Sequence, residues 1–127
     1  MSMQETLGDA PAGEATLGEL ERKAAEAAKL LKLLGNEHRL LILCRLSLRR
    51  EMSVNELADA VGLSQSALSQ HLAKLREEGL VAIRKEAQTV IYRVCDPRAE
   101  QVLALLHDLF CPELGRDAAH PPSGAKR

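Results

Sequence analysis

Apolar residues recur at spacings of three and four along Leu17, Leu20, Ala24, Ala27, Leu31 and Leu34. That period draws one stripe on a helix, and Gly35 ends it. The stripe is narrow and alanine-rich, as a seam between helices would be. A second helical pattern runs from about Asn36 to Arg49, with Leu40, Leu41, Cys44 and Leu48 as its apolar face and Arg39, Arg45, Arg49 and Arg50 around it. Ser53-Val54-Asn55-Glu56 then has the form of a capping box, a serine N-cap with glutamate three residues on. It opens a short helix through Ala60, with Leu57 and Val61 pointing inward. Gly62 turns the chain, and Ser64 caps a further helix whose inward positions are Ala67, Leu68, Leu72 and Leu75, closed by Glu78-Gly79. Two short helices about a tight glycine turn make a helix-turn-helix.

The period then changes from helical to alternating. Leu80 to Glu86 and Thr89 to Val94 are rich in β-branched residues, with Ala87-Gln88 between them, so a β-hairpin is predicted. Asp96-Pro97 supplies an N-cap and a first-turn proline for a last helix. Its apolar face is Val102, Leu103, Leu106, Leu109 and Phe110, and it ends near Pro112. The fold class is therefore mainly α with a small β-hairpin. Residues 1–16, acidic and without periodicity, read as a disordered tail, 113–127 as a second flexible tail, and 17–112 as the folded domain.

Composition narrows the picture. A chain of 127 residues suits one modest core, and with only 2% aromatics that core must be leucine, alanine and valine, which favours packed helices. There is no apolar run of about 18 residues and no basic-then-apolar leader, so a cytoplasmic location is expected. Cys44, Cys95 and Cys111 are then expected to be reduced at rest, and an odd count argues against a disulfide framework. The net charge of −1 includes five acids and no base in residues 1–21; without them the remainder carries +4, which suits a small DNA-binding domain. Neither a Ser-His-Asp set nor a phosphate loop is present, so no enzyme is expected.

The second helix of the helix-turn-helix carries the chemistry. Gln65, Ser66, Ser69, Gln70 and His71 lie on its outer or N-terminal part. Glutamine can pair with adenine and serine with almost any base, and a single helix fits the major groove. Lys74 and Arg76 suit phosphates. Arg84, Lys85 and Arg93 lie on the hairpin, with Gln88 at its tip, where a wing can follow the backbone or enter the minor groove. The competing reading of these side chains is a solvated polar face. His38, beside Arg39, is expected to be structural, and His120 belongs to the tail.

The segment Leu34 to Leu43 (LGNEHRLLIL), with Ser66 to Leu75 (SALSQHLAKL) and Glu78-Gly79-Leu80-Val81, resembles the ArsR family of winged helix-turn-helix repressors over roughly residues 20–111. The resemblance implies a homodimer joined through its first and last helices. It also implies two recognition helices in successive major grooves of a palindromic operator in double-stranded DNA, and an inducer that releases the DNA. Cys44 and Cys111 stand at the positions of the dithiol in the sulfide- and persulfide-sensing branch (the SqrR/BigR type), which implies a reactive sulfur species as inducer, linking the two thiols of one subunit and controlling sulfur-detoxification genes. Such helices should lie side by side. A pair held somewhat beyond the roughly 7 Å reach of a direct disulfide would resist plain oxidation yet accept a longer sulfur chain. Cys95 lies outside that pattern. The Cys-Val-Cys metal motif of other members is replaced by Ser53-Val54-Asn55, and the last helix offers Glu100, His107 and Asp108 without a paired histidine. No metal or other cofactor is therefore expected. Two alternatives stay open: a metal or metalloid sensor using Cys44, His107 and Cys111, and a protein-interaction module that has lost DNA binding.

Overall fold

The computed structural model describes residues 13–112, which divide into one compact unit ending at Leu34 and another beginning at Gly35. The first is a helix, α1 (Gly13–Leu34). It starts ahead of Leu17, so residues 13–16 are helical where the composition had placed the end of a tail. Leu17, Leu20 and Leu31 of its stripe are exposed. The remainder of both predicted tails lies outside the described residues. Among the described residues, no helix is long and apolar enough to cross a membrane.

In the second unit each helix starts where a side chain can satisfy a free backbone N–H. Asn36 accepts from the Arg39 N–H at 3.0 Å and opens α2 (Glu37–Arg49). A short strand, β1 (Met52–Ser53), leads into α3 (Val54–Val61). Both limbs of the capping box form: the Glu56 N–H donates to the Ser53 hydroxyl at 3.2 Å and the Ser53 N–H to the Glu56 carboxylate at 2.9 Å. Gly62 closes α3 with φ +72°, a left-handed conformation that costs a side-chain-bearing residue about 1–2 kcal/mol. Ser64 caps α4 (Gln65–Glu77), and Asp96 caps α5 (Pro97–Phe110). Between these two helices, β2 (Val81–Glu86) and β3 (Thr89–Val94) pair antiparallel from Val81↔Val94 to Glu86↔Thr89. The hairpin is one strand wider than its pattern predicts. β1 adds to β3 with Met52 opposite Tyr92, giving the order β1-β3-β2.

The core lies under the helix-turn-helix. Leu57 of α3 and Leu68, Leu72 and Leu75 of α4 are fully buried with Ile42, Leu43 and Leu46 of α2. That corrects the face assigned to α2: Leu40, Cys44 and Leu48 are only half-buried and Leu41 is exposed. The helix is apolar around most of its girth, and the side packed against α3, α4 and β3 is the Ile42-Leu43-Leu46 side. The face of α5 needs the same correction. Ala99, Leu103 and His107 are buried, Val102 and Leu106 half-buried, and Leu109 and Phe110 exposed.

The two-residue hairpin loop holds Ala87 at φ +59°, a conformation better suited to glycine. Ala87→Gly is expected to raise stability by about 0.5–1 kcal/mol, read as a higher midpoint in urea with an unchanged slope.

Candidate functional site

Burial of Leu68, Leu72 and Leu75 turns the opposite side of α4 to solvent. Gln65, Ser66, Ser69, Gln70 and Lys74 are all exposed there, as one polar face. Gln65 donates its side-chain amide to Asn55 Oδ1 of α3, and the Lys74 ammonium lies 3.6 Å from Glu78.

His71 takes a different place. It is half-buried, and its ring lies 5.7 Å from that of His38 at an angle of 34°. Burial, then the charges of His38 and Arg39, hold His71 below the usual imidazole range. It therefore couples the recognition helix to the start of α2 in its neutral form. The unfolded chain binds a proton here more readily than the folded one, so this contribution is complete above the ordinary histidine value and lost as pH falls toward the lowered one. Thermal stability is expected to decline as pH falls below the ordinary histidine range, and His71→Gln to flatten that decline. A melting series on both proteins checks it.

On the wing, Lys85 and Gln88 are exposed around the tip. Arg84 grips Glu51, ahead of β1, with both carboxylate oxygens engaged at 2.8 and 3.1 Å. That hydrogen bonding, ahead of the charges of Arg84 and Arg93, lowers the Glu51 carboxyl below its ordinary value. Arg84 thus fastens the wing to the residue just ahead of β1, a role its sequence position did not announce. Arg93, at the wing base, lines a cleft of about 820 Å³ with Arg49 and Arg50.

The thiols occupy the other side of α2. Cys44 is half-buried and Cys111, capping α5, is exposed; both are free. α2 and α5 pack together. Burial raises the Cys44 thiol above its ordinary value, and a negative charge on Cys111 raises it further. His107, a helical turn before Cys111, is buried with its Nε2 unpartnered. Among the described residues no three histidine, cysteine or acidic side chains gather as a metal site, so Cys44, His107 and Cys111 do not form the trio the metal-sensing alternative needs. Cys95 stands apart, its thiol donating to the Gly79 carbonyl at 3.4 Å.

A helix-turn-helix with a polar outer face, flanked by a three-stranded wing, defines a winged-helix DNA-binding protein. The chain belongs to the arsR family of bacterial regulatory proteins, whose pattern matches residues 36–82. It is 54% identical to the transcriptional activator HlyU of Vibrio cholerae over 95 residues, 75% of this chain and 87% of that protein. It is 42% identical to the regulator YgaV of Escherichia coli over 76% of this chain and 97% of that one. Among solved structures, reduced HlyU from Vibrio cholerae superposes with a TM-score of 0.70 over 73% of this chain and 97% of that chain, at 54% identity. The transcriptional repressor BigR from Xylella fastidiosa does so at 0.67, over 74% and 95%, with 38% identity.

Proposed function

We propose that this regulator is a cytoplasmic homodimeric repressor that leaves its operator when Cys44 and Cys111 of one subunit are joined through sulfur. The observation that carries the reading is the placement of two free thiols, Cys44 and Cys111, on the packed helices α2 and α5. The step balances with an organic trisulfide as oxidant. The Cys111 thiolate attacks the central sulfur and expels one thiolate; Cys44, deprotonated, attacks that same sulfur and expels the second. Two protein thiols and one trisulfide become one bridging trisulfide and two small thiols. Longer polysulfides give longer bridges.

One feature supports the homodimer. Leu17, Leu20 and Leu31 on α1 and Leu105, Leu109 and Phe110 on α5 are large exposed apolar side chains on the terminal helices, which a two-fold dimer would cover. The relatives' names divide between activator and repressor. Occupying DNA gives either sign according to what it blocks, and a small chain that grips DNA acts most simply by exclusion.

The test is a gel shift on the protein's own promoter with glutathione trisulfide, zinc or arsenite added in parallel. Release by trisulfide alone supports the reading. Release by a metal alone favours a metal sensor, and no shift at all favours a protein-interaction module. In the same assay, Gln70→Ala should relax sequence preference while Lys85→Ala weakens every duplex evenly.

A further inference from the structure

We infer that Asn55 is a positioning residue of the DNA interface: it clamps Gln65 and so sets the base preferred at the leading edge of the recognition helix. This rests on Gln65 facing DNA, as proposed above. Asn55 lies in the first turn of α3 and Gln65 is the first residue of α4. The turn at Gly62 brings these two helix starts together, and the Gln65 amide donates to Asn55 Oδ1. Both residues are exposed on the surface where the polar face of α4 begins. The neighbouring polar groups are already engaged: Glu56 and Ser53 cap each other, and Ser64 caps its own helix.

The chemistry follows from which atoms are taken. A carboxamide offers one acceptor oxygen and two N–H donors. A glutamine with no partner can present either end. The proposal requires that Asn55 hold the N–H trans to the carbonyl oxygen, which leaves that oxygen and the other N–H of Gln65 side by side on the edge away from Asn55. Acceptor beside donor matches adenine, which shows a donor at N6 and an acceptor at N7; guanine shows two acceptors and opposes the oxygen. Asn55, its oxygen occupied, has its own NH2 left over as a donor for a backbone phosphate. One side-chain pair thereby ties a phosphate contact to a base contact.

The experiment selects duplexes from a randomised pool with the full-length protein and sequences the bound fraction. It compares the parent with Asn55→Ala, Gln65→Ala, the double variant and Asn55→Asp. One position per half-site should show an adenine preference of about tenfold in the parent. Asn55→Ala should lose it as fully as Gln65→Ala, and the double variant should lose no more. Asn55→Asp, which keeps the accepting oxygen but not the NH2, should retain the preference and bind all duplexes more weakly. The proposal is overturned if Asn55→Ala keeps the adenine preference that Gln65→Ala abolishes, or if the two losses multiply. If Gln65→Ala changes no position, Gln65 is not at a base and the underlying assignment falls as well.

Discussion

Replacing either sensor cysteine should leave DNA binding intact and abolish its release by trisulfide, but the two variants should fail differently. Cys111 is exposed, whereas Cys44 is half-buried with its thiol held protonated by burial and by the charge of Cys111. The thiolate is the nucleophile, so Cys111 meets the reagent first. Cys44→Ser should therefore take up one small-molecule adduct at Cys111 at nearly the parent rate and stay on DNA. Cys111→Ser should react slowly. Its rate should climb with pH beyond the range of an ordinary thiol, because removing Cys111 deletes one cause of the raised value and leaves the larger one, burial. Mass spectrometry against time and pH, run beside a gel shift, reads both. Release of Cys44→Ser from DNA by the adduct alone would show that bridging is not the trigger.

The second large effect concerns assembly. Leu109 and Phe110 are 65% and 76% exposed at the end of α5. Burying such side chains contributes about 1.5–3 kcal/mol each, and a two-fold axis counts every contact twice. Leu109→Lys with Phe110→Lys should convert the proposed dimer to a monomer of unchanged helix content. Operator affinity should drop on the order of a hundredfold, because the second half-site is no longer delivered at high effective concentration. Sedimentation and fluorescence anisotropy measure the two changes. A dimer that survives both lysines would place the subunit interface elsewhere.

The parts of this fold that were legible in the sequence are those fixed by neighbouring residues. The capping box at Ser53, the turn at Gly62 and the hairpin about Ala87-Gln88 each involve groups a few residues apart, and each forms where its pattern puts it. The buried face of α2 was not legible. With Leu40 through Cys44 apolar without a break, periodicity cannot choose a side, and packing against α3, α4 and β3 does so instead. β1 escaped notice because two residues carry no period; it exists because β3 offers a free edge to Met52 and Ser53. At the site, the outer face of α4 was readable because its inner face was. The pairings His38–His71, Glu51–Arg84 and Asn55–Gln65 were not, since each joins residues brought together only by the tertiary fold. The pairing of Cys44 with Cys111 was read from family resemblance and from no local pattern.

One property of α2 bears on how a sulfur link could reach the DNA. The same rod holds Cys44 on one flank and, on the other, the leucine and isoleucine knobs that seat the reading helix. Close-packed interiors yield little when pushed. A twist applied at the cysteine flank is therefore passed across the width of a single axle, with no hinge or unfolding in between. In the proposed mechanism, signal and response are separated by about the diameter of one helix, roughly 10 Å.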